Sequence, residues 1–288
     1  MEQSITQLLQ TPGVIMLIGA ADTGKTTVGK ALLEAVVVGG FTAAYVDADL
    51  DQSTVGPPAC VGLKWVNSRE DIEHLDSADE LRFVGSTTPE GVVLPHVVAT
   101  AALVDMARRA DYVILDTTSV VAGVVGETLK YHTTELCQPR VVVALHRGAE
   151  MDPIVSMLER FLGVESVKVE SDPLRVSSSP SERNAVRVEG FRREMAEPIS
   201  QWRVQRGVFA PSLPEEFDYE KLDQMLVGVQ GFGGRCLGLG VLEYKDHQLR
   251  VITRHGDSMT GLRLGSLRVD RATFATARVR LRQLIFGV

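Results

Sequence analysis

Cysteine is scarce: three in 288 residues, at positions 60, 137 and 236, with no C-x-x-C pair. An odd, scattered set excludes a disulfide framework and a cysteine-built zinc site, and leaves buried free thiols as the expectation. No apolar run reaches the roughly 18 residues that span a bilayer. The opening MEQSITQLLQ has neither the basic start nor the apolar stretch of a secretory signal, so a cytoplasmic location away from membranes is expected. The six histidines show no ligand spacing such as H-E-x-x-H, and no N-K-x-D guanine motif occurs, which favours ATP over GTP. Aromatic residues are few, and Tyr45, Phe83 and Tyr112 fall in apolar runs and are assigned to the core.

An excess of positive charge is also missing, the net charge being −7. The deficit is uneven. Residues 1–172 carry 12 Lys and Arg against 24 Asp and Glu, whereas residues 173–206 carry 7 against 4 and residues 245–288 carry 9 against 3. Two basic segments on an acidic body permit a local polyanion site, although a solvated arginine face has the same composition.

Strands and helices alternate along the first two thirds. Val14–Ile18, the run FTAAYVDAD, Leu81–Gly85, Asp111–Thr118, Arg140–His146 and Val164–Val169 read as strands. Gly24–Val38, His96–Ala110, Glu127–Leu136 and Met151–Leu162 have helical spacing. Continuously apolar strands separated by helices predict an α/β fold, a mostly parallel sheet covered by helices on both faces. The stretch SDPLRVSSSPSERNAVRVEGFRREM is rich in Ser, Pro and Arg and reads as an excursion over the surface, an arginine-rich lid over about 173–196. Residues 207–225 read as a linker. Short strands and Gly-rich turns over 226–288 predict a small β domain beside a larger α/β domain of residues 1–206.

One motif dominates. Gly19, Gly24, Lys25 and Thr26 satisfy G-x-x-x-x-G-K-[ST] between a strand and a helix, the phosphate loop of a P-loop NTPase. Its curled backbone turns successive N–H groups inward, so Gly19, Ala21, Asp22, Thr23, Gly24, Lys25, Thr26 and Thr27 are the expected nucleotide-binding residues. Lys25 is expected to reach the β- and γ-phosphates, and Thr26 to place its hydroxyl on Mg²⁺. Asp47, Asp49 and Asp116 end predicted strands, hence face the ligand crevice of a parallel sheet. Among them one can hold Mg²⁺ through water and another can take a proton from an attacking hydroxyl. Arg183, Arg187, Arg192 and Arg193 cluster in the excursion, where arginine can stabilise a phosphoryl group in transfer. The hydroxyls of Gly85-Ser86-Thr87-Thr88-Pro89 can contact phosphate or sugar oxygens.

Taken in order, GAADTGKTT, YVDADLDQSTVGPP, FVGSTTPEG, YVILDTTS, RVEGFRRE and CLGLGVLEY…LRVITR…GLRLGSLRVD resemble the polynucleotide 5′-hydroxyl kinase family. That family includes the kinase subunit of the eukaryotic mRNA cleavage factor, the nucleolar pre-rRNA processing kinase and archaeal RNA kinases. The resemblance covers about residues 12–288 and implies a short form without the family's N-terminal β domain. It implies transfer of the γ-phosphoryl group of ATP, with Mg²⁺, to the 5′-hydroxyl of an RNA or DNA end. It assigns Lys25 and Thr26 to the phosphates and Mg²⁺, Asp49 to activation of the 5′-hydroxyl, and Arg187 and Arg192 to the lid, while Asp49 and Asp116 are metal candidates with Thr26 by their strand-end placement. Gln52, Thr87, Thr88 and Arg193 fall on the substrate side. Two positions depart from the family pattern. Ser119 and Val120 stand where Gly-Trp is common, a tryptophan that stacks on the terminal base, and Asp51 replaces a glycine. Trp65 and Trp202 lie elsewhere in the sequence. A nucleotide-switch ATPase or GTPase acting through a protein partner, or a kinase of some other hydroxyl, are the alternatives.

Overall fold

The computed structural model describes residues 6–287. In chain order they form β1 (Gly13–Gly19), α1 (Lys25–Val38), β2 (Ala43–Ala48), β3 (Cys60–Val66), α2 (Arg69–Glu73), β4 (Glu80–Phe83), α3 (Val93–Ala107) and β5 (Tyr112–Thr117). Next come α4 (Gly123–Cys137), β6 (Val141–His146), α5 (Asp152–Leu162), β7 (Glu165–Glu170) and α6 (Pro180–Glu194). The remainder is β8 (Ser200–Arg203), β9 (Met225–Gln230), β10 (Cys236–Lys245), β11 (Gln248–Thr253), β12 (Gly261–Val269), β13 (Thr276–Arg278) and α7 (Leu281–Phe286).

Strands β2, β5, β1, β6 and β7 pair in parallel in that order. Alternation along each strand sends side chains to two cores. Ile15 and Leu17 of β1 pack with Leu32 and Leu33 of α1 on one face. Val14, Met16 and Ile18 pack with Leu103 of α3 and Leu158 of α5 on the other. Every residue of β1 after Gly13 is buried, which explains why the strand reads as one apolar run. The three cysteines are buried free thiols. Among the described residues no helix is long and apolar enough to cross a membrane.

Beyond β2 the sheet turns antiparallel through β3 and β4. It then continues into the C-terminal strands at one register pair, Leu81 with Cys236. β9, β10, β11 and β12 are antiparallel to one another where they pair, and β8 pairs with β11. Phe209, Leu213 and Leu222, within the stretch expected as a linker, are buried in the core of these C-terminal strands.

Two elements go beyond what the sequence pattern suggested. β3 is a strand that periodicity did not reveal, because Gly62, Lys64 and Trp65 interrupt its apolar pattern. The surface excursion contains a 15-residue helix, α6. Ser179 accepts from the Glu182 N–H and Glu182 accepts from the Ser179 N–H, with Pro180 in the first turn, a reciprocal cap that holds this polar helix at its start.

Candidate active site

The phosphate loop joins β1 to α1. Gly24 has φ +96°, a conformation side chains disfavour, and a Cβ on Gly19 would come within 2.6 Å of Thr23 Oγ1 and 2.7 Å of the Leu145 carbonyl. The loop is therefore a cradle that only glycine permits at these two points. Lys25 is buried, and its Nζ donates to the carbonyls of Gly19 (2.9 Å) and Ala20 (3.0 Å). The loop borders a cavity of about 350 Å³ shared by Ala21, Asp22, Gly24, Lys25, Thr26, Asp49, Asp51, Gln52, Thr87, Thr88, Ser119 and Val120, among others.

The three strand-end acids differ in task. Asp47 is buried, and its carboxylate accepts from the N–H groups of Asp49 (2.9 Å), Thr54 and Val55 (3.0 Å), so it shapes the loop after β2. Asp49 faces the cavity. Its Oδ1 accepts from the N–H groups of Asp51 (3.0 Å) and Gln52 (3.1 Å), and its other oxygen has no protein partner among the described residues. Asp116 Oδ2 accepts from Thr26 Oγ1 (2.7 Å) and Tyr45 OH (2.8 Å), while its buried Oδ1 has no partner. Burial raises the Asp116 pKa, opposed by the Lys25 charge. Gln52 Nε2 donates to Asp51 Oδ2 and to the Arg183 carbonyl, which ties the acidic loop to α6.

Thr87 and Thr88 lie in the turn after β4. Ser266 of β12 fixes that turn, its N–H donating to the Gly85 carbonyl at 2.7 Å. Ser119 and Val120, which follow β5, line the cavity, so the missing tryptophan would have stood at its wall.

The arginines separate by helix geometry. Arg183 reaches Asp22 (3.4 Å) and Arg187 reaches Asp51 (2.7 Å), both on the cavity side. A helix turns roughly 100° per residue, so Arg192 sits about 140° round from Arg187. It pairs with Glu189 on the exposed face, and Arg193 pairs with Asp76. Neither lines the cavity. Arg175, which sequence reasoning passed over, does: it donates to Thr27 Oγ1 (3.1 Å) from the loop before α6.

Two buried groups were also missed. His96 Nε2 contacts the Ala48 carbonyl at 2.8 Å, and burial lowers its pKa to about 4. Lys130 of α4 is fully buried, its Nζ donating to Thr117 Oγ1 (2.8 Å) and the Thr118 carbonyl (2.6 Å) beneath the cavity wall. Its position, one helical turn after Gly126 on the buried side of α4, was the available signal. Burial, reinforced by the charge of Lys25, lowers its pKa to about 7. The unfolded chain keeps a lysine pKa of roughly 10.4, so between these two values it binds the proton that the folded state lacks. Stability therefore rises with pH across that window. Lys130→Met is expected to remove this part of the rise, seen as a difference between wild type and variant in urea unfolding at steps from about pH 7 to about 10.

The model of the mRNA cleavage and polyadenylation factor CLP1 P-loop family matches residues 19–193. A polyribonucleotide 5′-hydroxyl-kinase of Pyrococcus furiosus is 27% identical over 337 aligned positions, covering 97% of this chain and 88% of the relative. One from Methanocaldococcus jannaschii is 25% identical, covering 91% and 88%. Clp1 of Rattus norvegicus, named for the same activity, is 28% identical over 83% of this chain and 56% of its own. Clp1p from a Clp1p–Pcf11p complex superposes with a TM-score of 0.70 at 13% identity, over 93% of this chain and 76% of that one, a likeness of fold. The match runs from the first glycine of the phosphate loop to the last turn of α6 and takes in all the residues that line the cavity, and the chain belongs to the CLP1 P-loop family.

Proposed function

We propose that this protein is an ATP-dependent polynucleotide 5′-hydroxyl kinase, transferring the γ-phosphoryl group of ATP to the 5′-hydroxyl of RNA or DNA. The observation that carries the reading is one cavity lined by two chemically distinct sets of residues: Lys25 and Thr26 of the phosphate loop, and Asp49, Thr87 and Thr88. The 5′-oxygen attacks the γ-phosphorus, the bond from γ-phosphorus to the β,γ-bridging oxygen breaks, and ADP leaves. The hydroxyl proton passes to the unpartnered oxygen of Asp49. Lys25 exchanges its two loop carbonyls for β- and γ-phosphate oxygens. Arg183 and Arg187 exchange Asp22 and Asp51 for the transferring group, so the lid helix is drawn toward bound nucleotide. Arg192 keeps the family's five-residue spacing from Arg187, and in this reading it reaches the site only through a further movement of α6.

Thr26 and Asp116 suit Mg²⁺, which leaves the free oxygen of Asp49, the third candidate, to the proton. Asp116 offers a buried oxygen without a partner, and among the described residues no group of three or more His, Cys, Asp or Glu is placed to hold a metal ion by itself. Mg²⁺ is commonly held by one or two carboxylates plus substrate phosphates rather than by a protein cage, and when bound it neutralises phosphate charge.

The test is transfer of labelled γ-phosphate to 5′-hydroxyl RNA and DNA oligonucleotides. Label in the oligonucleotide supports the reading, while ATP turnover that ignores every acceptor rejects it in favour of a nucleotide switch. Val120 gives a gain-of-function check. Base stacking is worth about 1–3 kcal/mol, so Val120→Trp is expected to lower the KM for the oligonucleotide by about tenfold without changing the KM for ATP.

A further inference from the structure

The acceptor end of the cavity has a charge problem. Its wall carries Asp49, Asp51 and Glu90, and an incoming strand is a polyanion. The cations that line the cavity are bonded to the phosphate loop: Lys25 to Gly19 and Ala20, Arg175 to Thr27, Arg183 to Asp22. Arg187 is bonded to Asp51.

A further cation arrives from the other end of the chain. Arg278 closes β13, which pairs with β12 through Leu267, and the neighbouring Val279 N–H donates to the Ser266 carbonyl at 2.8 Å. Ser266 also fixes the turn that holds Thr87 and Thr88, so one short stretch of β12 sets both the turn and the arginine against each other. The guanidinium of Arg278 donates to Thr88 Oγ1 and to Glu90 Oε2 (2.8 Å), both on residues of the cavity wall. More than half of the side chain is exposed, so it is free to change partner. Arg280 and Arg282 follow, both exposed, in a segment where basic residues outnumber acids by 9 to 3.

We propose that Arg278 binds the first internucleotide phosphate of the acceptor strand, with Glu90 holding that place until the strand arrives. This rests on the kinase reading and names what selects a strand over a lone nucleoside. A carboxylate and a phosphodiester present similar pairs of oxygens to the guanidinium fork, so the exchange of Glu90 for phosphate keeps the arginine paired throughout. Arg280 and Arg282 continue the basic path for the following phosphates. Arg278 is a specificity residue and takes no part in the bond-making step.

The test pairs protein variants with a modified acceptor, a 5′-hydroxyl oligonucleotide whose first linkage is an uncharged methylphosphonate. Arg278→Ala and the methylphosphonate are each expected to raise the acceptor KM by about tenfold, with kcat retained, and the two together by little more than either alone, as partners in one interaction are not additive. Loss of one phosphate contact on a single strand should also flatten the slope of log affinity against log salt by about 0.7, which Arg278→Lys restores. Glu90→Gln should lower the KM in the wild type and leave it unchanged in Arg278→Ala. A merely structural tether would do the opposite, since losing Glu90 would loosen the turn and raise the KM. Additive effects of Arg278→Ala and the methylphosphonate, in an enzyme that labels the unmodified oligonucleotide, overturn this inference alone. A wild type that labels no oligonucleotide overturns the kinase reading, and this inference with it.

Discussion

Lys25→Ala is expected to lower phosphoryl transfer by about a thousandfold or more, the scale on which a preorganised charge-stabilising group acts in a water-poor site. The residue is only 7% exposed and its ammonium is already held over the loop by the Gly19 and Ala20 carbonyls. It therefore meets the β- and γ-phosphates without being ordered anew, and alanine loses both the charge and that preorganisation. Removing the ammonium also takes away the charge that opposes Asp116 beneath the loop. Binding of ATP weakens along with turnover, so the variant should lose affinity for nucleotide in a direct binding assay as well as rate in single turnover. Retained transfer with unchanged nucleotide affinity would remove Lys25 from the mechanism.

Asp49→Asn is expected to separate the two effects. Asparagine keeps an oxygen able to accept from the Asp51 and Gln52 N–H groups, so the loop after β2 holds its shape. What disappears is the proton acceptor. General-base catalysis contributes about 10²–10⁴ in rate, and transfer should fall by that factor while ATP affinity changes little. A variant that binds ATP normally but labels acceptor at the wild-type rate would take the base role away from Asp49. Asp47→Asn offers the contrast: its carboxylate is spent on three backbone donors, so its loss should lower stability along with activity.

How much of this was legible in the sequence depends on how local the cause is. Strand β1 and helix α1 read directly, because buried strands leave continuous apolar runs and the phosphate loop is a contiguous chemical pattern. Asp49 and Asp116 were legible because strand ends point to one rim of a parallel sheet. That Asp47 turns into its own loop was not, since two aspartates two residues apart look alike until the loop closes. α6 was hidden by composition: its residues are polar and only Gly190 and Phe191 are buried, yet the Ser179–Glu182 cap was present for the reading. The division of the arginines follows from that same omission. Once the segment is a helix, Arg183 and Arg187 share a face and Arg192 leaves it. Arg278 depends on a partner 190 positions away, which no reading window spans, whereas the partner of Lys130 is only 12 positions away and was hidden because nothing in the run shows that the lysine turns inward.

The path of the chain between the two sets of strands bears on how such a protein can change over evolutionary time. β8 is laid down before the acidic stretch 214–223, yet its partner is β11, and β12 in turn grips the turn that carries Thr87 and Thr88. A recombination breakpoint placed anywhere between β8 and β9 hands one half a strand whose mate is in the other. The C-terminal strands are thus inherited together with the catalytic half rather than traded as a cassette, and acceptor preference has to drift residue by residue, at positions such as 120 and 278, within a framework that is passed on whole.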